Sequence, residues 1–234
     1  ARYLAEDADV FVYTSRKKLP AVKGLRIQAA SLETVCRQKI VIPTVPISVL
    51  EETLRRIAPR LNPDSVVIDV CSVKEQPVKW MEELLPGSVS ILATHPMFGP
   101  DSAAESLEGM KIALCKVRID EEHYDQIRSY LVAKGLVVID TTAEIHDRQI
   151  AVSLALTHFI GRSLSSFGAE NLEIDTEGYK RLLHILDVVE NDTWQLFVDM
   201  HRFNPYAEEA RVAFMKAMTQ INSDLEAFES TLDD

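Results

Sequence analysis

Four short apolar runs, Val66–Val70, Val89–Ala93, Met110–Val117 and Leu136–Asp140, alternate with stretches of helical spacing, and this alternation restricts the fold more than any other feature of the chain. A strand, a helix and a second strand bring the chain back in its original direction, so a series of such units predicts a doubly wound sheet. Glu75–Leu85 reads as a helix closed by Pro86-Gly87. Glu121–Lys134 carries Tyr124, Ile127 and Leu131 on one helical face and has Gly135 as its stop. Upstream, Val10–Tyr13 and the core of Gln38–Val45, bounded by Pro43 and Pro46, read as further strands. Ser48 is placed to cap a helix over Val49–Ile57, and Ala1–Ala5 reads as a helix already under way. The sheet is expected to end near Asp140.

Open α/β sheets bind ligands beyond the carboxyl ends of their strands. The Val89–Ala93 run leads into Thr94-His-Pro-Met-Phe-Gly-Pro-Asp101, which puts an imidazole at that edge. A lone histidine there often does no more than satisfy a turn. Here the Val66–Val70 run ends in Cys71-Ser72-Val73-Lys74 and sends a hydroxyl and an ammonium toward the same side, so His95 and Ser72 are the catalytic candidates. Thr44 and Val45 follow the Ile40–Ile42 run in a turn beside the expected cofactor. After Val10–Tyr13, where a dinucleotide site usually presents Asp or Glu to the ribose 2′-hydroxyl, the chain reads Thr14-Ser15-Arg16-Lys17-Lys18. Ser15 and Arg16 suit a 2′-phosphate, which points to NADP with NAD possible; a solvated basic turn is the other reading.

From residue 141 the pattern is helical throughout. Thr141–Glu144 matches a capping box and predicts a helix running toward Phe167-Gly168. Its middle, Ile150–Gly161, is apolar nearly all round, as expected of a helix buried on most sides at the heart of a helical domain or a dimer. His158 and Arg162 lie four residues apart on one face, as ligand-binding candidates or as a buried histidine and a surface charge. A helix from Tyr179 puts Leu182, Leu183, Leu186 and Val189 on one stripe, breaks near Asn191-Asp192 and is followed by another to His201. The last helix repeats Phe214, Met218, Ile221, Leu225, Phe228 and Leu232 with a period near 3.5, a packing seam.

The 234 residues suffice for one large domain or two modest ones, and 47% apolar with 26% charged residues is an ordinary globular composition. The formal charge of −11, with no basic block to offset it, argues against nucleic acid or an anionic membrane as partner. No stretch is expected to reach the roughly 18 consecutive apolar residues of a membrane span. Cys36, Cys71 and Cys115 offer neither a disulfide framework nor zinc-ligand spacing, so a reducing compartment and no metal are expected.

The pairing of Asp69-Val-Cys-Ser-Val-Lys-Glu75 with Thr94-His-Pro-Met-Phe-Gly-Pro100 resembles the prephenate/arogenate dehydrogenase family of tyrosine biosynthesis. Glu144-Ile-His-Asp-Arg148, Leu156-Thr-His-Phe-Ile-Gly-Arg162, Gly178-Tyr179 and Phe203-Asn-Pro205 match in order, and the arogenate-type branch found in plants is resembled most. The resemblance implies a Rossmann-like dinucleotide-binding α/β domain over 1–140 and an all-α substrate and homodimerisation domain over 141–234. It also implies that the glycine-rich phosphate loop lies upstream of Ala1, since none of the eight glycines has the Gly-x-Gly-x-x-Gly spacing. The implied reaction is an oxidative decarboxylation: hydride leaves C4 of a cyclohexadienol for the nicotinamide, the C4 hydroxyl loses its proton, and the ring carboxylate departs as carbon dioxide. His95 carries over as the hydroxyl's acceptor and Ser72 as the group that positions the substrate oxygen or His95 between substrate and nicotinamide. His158 and Arg162 are the substrate-binding candidates, with Arg162 as the substitute carboxylate binder for an arginine that this chain lacks. Val188 stands where prephenate users place an arginine, and Asp192 matches an aspartate of the arogenate-type branch suited to an ammonium, or else caps the next helix. The expected compartment is the cytoplasm, or the plastid stroma in a plant. A prephenate dehydrogenase is the nearest alternative, and a cofactor-deficient regulatory or interaction fragment is the alternative of another class.

Overall fold

The computed structural model describes residues 2–14, 26–99 and 102–230, and the chain divides into two compact units. The first comprises residues 1–45, 49–71 and 77–140; the second comprises 141–234 together with two short segments, 46–48 and 72–76. The second unit thus claims the residues just after two strand ends.

In the first unit a 3-10 turn, Leu4–Glu6, stands where a longer helix was expected, and it precedes strand β1 (Val10–Val12). β1 pairs in parallel with β2 (Ile27–Ala29), a strand not foreseen because its three residues are too short a run for alternation to reveal it. Helix α1 (Leu32–Cys36) is capped by Ser31, and the two-residue β3 (Ile40–Val41) leads to α2 (Ile47–Ile57). α2 starts earlier than predicted, so Ser48 lies inside it and is not its cap. Next come β4 (Val66–Asp69), α3 (Glu75–Leu84), β5 (Ser90–Pro96), β6 (Lys111–Arg118), α4 (Glu121–Ala133) and β7 (Val137–Asp140). Their sheet has the order β3-β4-β5-β6-β7.

β3, β4 and β5 run parallel, as do β6 and β7, but β5 and β6 are antiparallel. No helix lies among the described residues between β5 and β6, and without a crossover the chain must turn back on itself. β4 is buried along its whole length, which is why its sequence is a continuous apolar run and not an alternating one. Val66, Ile68, Leu92, Leu107, Ile112, Leu114 and Leu136 form one side of the core.

The second unit is helical: α5 (Ala143–Ile150), a π-helical segment Ala151–Leu156, α6 (Thr157–Phe167), α7 (Glu177–Glu190), α8 (Trp194–Phe203) and α9 (Ala207–Ser230). The cap of α5 is Thr142, whose side chain accepts from Ile145 N, and not Thr141; Glu144 turns to Arg148 instead of closing a capping box. Gly168, at φ 84°, ends α6 in the left-handed conformation that a residue with a Cβ adopts only at a cost. α6 and α7 meet at Gly161, where an added Cβ would lie 2.6 Å from a methyl of Val189.

One expectation about Ala143–Phe167 is corrected and another is refined. This continuous helix contains an 18-residue window of mean hydropathy 1.2, long and apolar enough by length and composition to cross a membrane. Counting consecutive apolar residues misses the window because Ser153, Thr157, His158 and Arg162 interrupt it. Within Ile150–Gly161 the residues are buried or half-buried except Val152, 57% exposed, and Ser153, so the burial expected there is incomplete in the single chain. Buried His146, Asp147 and His158 on the covered face give it the character of a core helix of this unit. The predicted stripe on α7 holds at Leu183, Leu186 and Val189 and fails at Leu182, which is exposed, as are Met218, Ile221, Leu225 and Phe228 on α9.

Candidate active site

His95 lies inside β5, opposite Ala113 of β6, and not in a turn beyond a strand. It is 6% exposed, and the strand continues one residue past it. The carboxyl ends of β4 and β5 are tied by Asp69, a fully buried residue that the sequence did not single out. Its Oδ1 accepts from Thr94 N at 3.1 Å, its Oδ2 from Cys71 N at 2.9 Å, and its backbone carbonyl from Thr94 Oγ1 at 2.6 Å. A carboxylate held by backbone N–H groups fixes the strand ends, so the residue after Thr94 enters the edge at a set register. Thr44, exposed, and Val45, half-buried, follow β3 at the same end of the sheet. Ser15 and Arg16 lie outside the described residues. A shallow cavity lined by Lys39, Asn62, Asp64 and His123 opens at the amino ends of β3 and β4, the opposite end from His95.

Ser72, His158, Arg162 and Asp192 belong to the second unit. Ser72 lies in the short connection between β4 and α3, and its Oγ is buried without a hydrogen-bond partner among the described residues. An orphaned hydroxyl at the carboxyl end of a central strand suits a bound group that supplies the missing partner, as a dinucleotide or its substrate would. His158, 2% exposed, directs Nε2 to Asp192 Oδ2 at 3.5 Å and has no partner for Nδ1 among the described residues. Burial pushes this imidazole below its ordinary pKa; Asp192 works against that shift and Arg162 adds to it. Arg162 donates from Nη2 to the backbone carbonyl of Asp192, lies 5.7 Å from the ring of Trp194 and 5.9 Å from that of Phe197, and has a buried Nε with no partner among the described residues. Asp192 is not a helix cap. Thr193 caps α8 by accepting from Leu196 N, and this leaves the Asp192 side chain, 38% exposed, for His158.

Three predicted residues of the helical half therefore form one cluster, two of them with unsatisfied buried nitrogens. The sequence missed His201, which stacks edge-on against Phe197 at 4.7 Å and takes Arg211 on Nδ1; burial and then Arg211 lower its pKa. It also missed Asp147 and Asp199. Asp147 lies in a motif noted above, but nothing in its spacing says that its carboxylate is buried. Asp199 gave no signal beyond its place four residues after Gln195, whose Nε2 it accepts at 2.7 Å.

A family model described as the nucleotide-binding domain of prephenate dehydrogenase matches residues 6–140, and one described as the TYRAAT1-like C-terminal domain matches 163–232. Arogenate dehydrogenase 2, chloroplastic, of Arabidopsis thaliana is 33% identical over 171 residues, covering 71% of this chain and 48% of the relative. A probable arogenate/prephenate dehydrogenase of Methanocaldococcus jannaschii is 27% identical over 245 residues, covering 97% of this chain and 55% of that protein. The chain spans about half the length of these curated relatives. The prephenate dehydrogenase of Aquifex aeolicus, solved in complex with hydroxyphenyl propionate and NAD+, shares the fold with a TM-score of 0.67 at 22% identity, over 86% of this chain and 74% of that one. The match over 6–140 takes in both β4 with its Ser72 connection and β5 with His95, and by it this chain belongs to the prephenate/arogenate dehydrogenase family.

Proposed function

We propose that the chain carries out the NADP-dependent oxidative decarboxylation of arogenate to tyrosine. The observation that supports this most is the imidazole of His95 at the carboxyl end of β5, in a register that Asp69 fixes, within a matched nucleotide-binding domain. A neutral imidazole accepts the proton of the C4 hydroxyl, and Ser72 Oγ holds that oxygen in line. Aromatisation drives the loss of carbon dioxide, so the residues need only orient the ring and take the proton. A bound nicotinamide supplies the hydride acceptor. Ser15 and Arg16 hold its ribose 2′-phosphate, and Thr44 and Val45 line the nearby turn.

In the helical unit the unpartnered Nε of Arg162 suits the substrate side-chain carboxylate, and Asp192 beside His158 suits the ammonium that arogenate has and prephenate lacks. The exposed apolar residues of α9 suit a second copy of the chain, which makes the protein a homodimer through its helical unit. Light scattering should then give twice the monomer mass. The assignment is tested by turnover of arogenate and of prephenate, each with NADP+ and with NAD+, in the full-length protein. Arogenate with NADP+ should lead in kcat/KM, and Arg16→Ala should weaken NADP+ by about 1.5 to 3 kcal/mol while leaving NAD+ little changed. Preference for prephenate would reassign the substrate, and turnover of neither would remove the proposal.

A further inference from the structure

α2 and α3 both begin just after a strand end, at Ile47 and Glu75, and the residues ahead of them, Pro46 and Lys74, are not capping types. Orphaned N–H groups at a helix start need acceptors from elsewhere. Here two buried carboxylates distant in sequence provide them. Asp147, 0% exposed, accepts Lys74 N on Oδ1 at 2.7 Å and Glu75 N on Oδ2 at 2.9 Å. Asp199, 1% exposed, accepts both Ser48 N at 3.0 Å and Ser48 Oγ at 2.8 Å on Oδ2.

Each aspartate is itself fixed. His146 Nδ1 lies 2.7 Å from Asp147 Oδ1, and Asn204 Nδ2 donates to the Asp147 carbonyl at 2.9 Å. Gln195 Nε2 donates to Asp199 Oδ1 at 2.7 Å and reaches Ser48 Oγ at 3.3 Å. One aspartate therefore anchors the segment that carries Ser72, the other the segment that follows Thr44 and Val45. This explains why residues 46–48 and 72–76 cluster with the helices and not with the sheet that surrounds them in sequence.

We infer that Asp147 and Asp199 are two separate positioning residues, Asp147 setting Ser72 for the chemical step and Asp199 setting the Thr44–Val45 turn for the cofactor. The division of labour rests on the function proposed above; the anchoring itself does not. The two differ in what a conservative change does. Both oxygens of Asp147 face backbone donors, so the amide of Asp147→Asn must set its NH2 against one of them. Asp199 faces backbone on Oδ2 alone, and the Gln195 amide can turn over to accept from an asparagine NH2.

The experiment compares Asp147→Asn, Asp199→Ala and Asp199→Asn in the full-length protein, with kcat counted per folded molecule by near-ultraviolet circular dichroism. Asp147→Asn should lower kcat about tenfold to a hundredfold, the scale of a small misplacement, with the cofactor KM within about twofold. Asp199→Ala should raise the cofactor KM about fivefold or more with kcat within about threefold, and Asp199→Asn should restore it. Asp147→Ser, which keeps one small acceptor, replaces the asparagine variant if that one does not fold. Amide hydrogen exchange supplies a readout independent of turnover: Asp147→Asn should open the amides of 74–75 and leave 47–49 protected, and Asp199→Ala the reverse. Equal loss of kcat and cofactor affinity in both variants overturns the division. Exchange that rises uniformly, or at neither helix start, overturns the anchoring. A wild type inactive on both substrates with selective exchange would refute the proposed function and the division of labour and leave the anchoring standing.

Discussion

The sheet edge around His95 and the helical cluster around His158 treat buried polar groups in opposite ways. At the edge, each carboxylate oxygen of Asp69 accepts a backbone amide, from Thr94 and from Cys71, and His95 lies in a strand paired on both sides. In the cluster, His158 Nδ1 and Arg162 Nε are buried without partners among the described residues. A buried, unsatisfied polar atom costs about 1 to 3 kcal/mol, and a ligand that supplies the missing partner recovers that cost as affinity. The comparison teaches that Asp69 and the strand pairing fix the geometry of the edge, where Ser72 Oγ beyond β4 is left without a partner among the described residues, while the cluster leaves a ring nitrogen and a guanidinium nitrogen open to polar atoms from outside.

The comparison breaks most sharply at His95. His95→Ala should lower kcat by on the order of 10² to 10⁴ with little change in KM, the range for lost general-base help, measured under saturating cofactor. Near-normal turnover would make the edge a scaffold and move the chemistry elsewhere. Next is the packing that holds the cluster. Gly161→Ala forces a Cβ to 2.6 Å from the Val189 side chain and 3.2 Å from the Ile185 carbonyl, and β-branched, fully buried Val189 has no room to yield. A loss of about 1 to 3 kcal/mol is expected in urea unfolding, with arogenate affinity falling before cofactor affinity does.

Asp192→Asn sharpens the binding side of the contrast. Because Asp192 is 38% exposed, its pairing with a substrate ammonium is partly screened, and the expected loss in kcat/KM for arogenate is about 1 to 2 kcal/mol, with prephenate turnover unchanged or raised. Equal loss for both substrates would take Asp192 out of recognition.

The smallest expected effect is on stability against pH. Burial lowers the pKa of both His158 and His201, so the unfolded chain takes up protons first as pH falls. Stability contributed by the two neutral imidazoles is complete above the ordinary value of about 6.5 and is lost as pH drops from there toward their depressed folded values. Melting temperatures should fall between pH 7 and pH 5 more steeply in wild type than in His158→Gln. Identical slopes would show that His158 stays neutral in both states or is protonated in both.

Much of the edge was legible in the chain because strands and turns write themselves locally. The uninterrupted run Val66–Asp69 announced a strand covered on both faces, and the polar residues following it and the Val89–Ala93 run announced the ligand-binding end of a sheet. The Ser48 cap failed because Asp199, far away in sequence, supplies the acceptor and lets α2 start one residue earlier than Ser48. The Asp192 cap failed because Thr193 competes for the same N–H groups from one position nearer the helix.

The sequence by itself determined the family, the strand and helix alternation and the helical second half, because periodicity and short motifs are properties of neighbouring residues. Only the tertiary structure decided that β6 runs antiparallel, that Asp69, Asp147 and Asp199 are the acceptors for strand ends and helix starts, and that His158 and Arg162 keep unpartnered nitrogens. The physical reason is that a hydrogen bond between residues 73 or 151 positions apart leaves no trace in local pattern. Whether a buried polar atom is satisfied depends on which segments the folded core brings within about 3 Å of it.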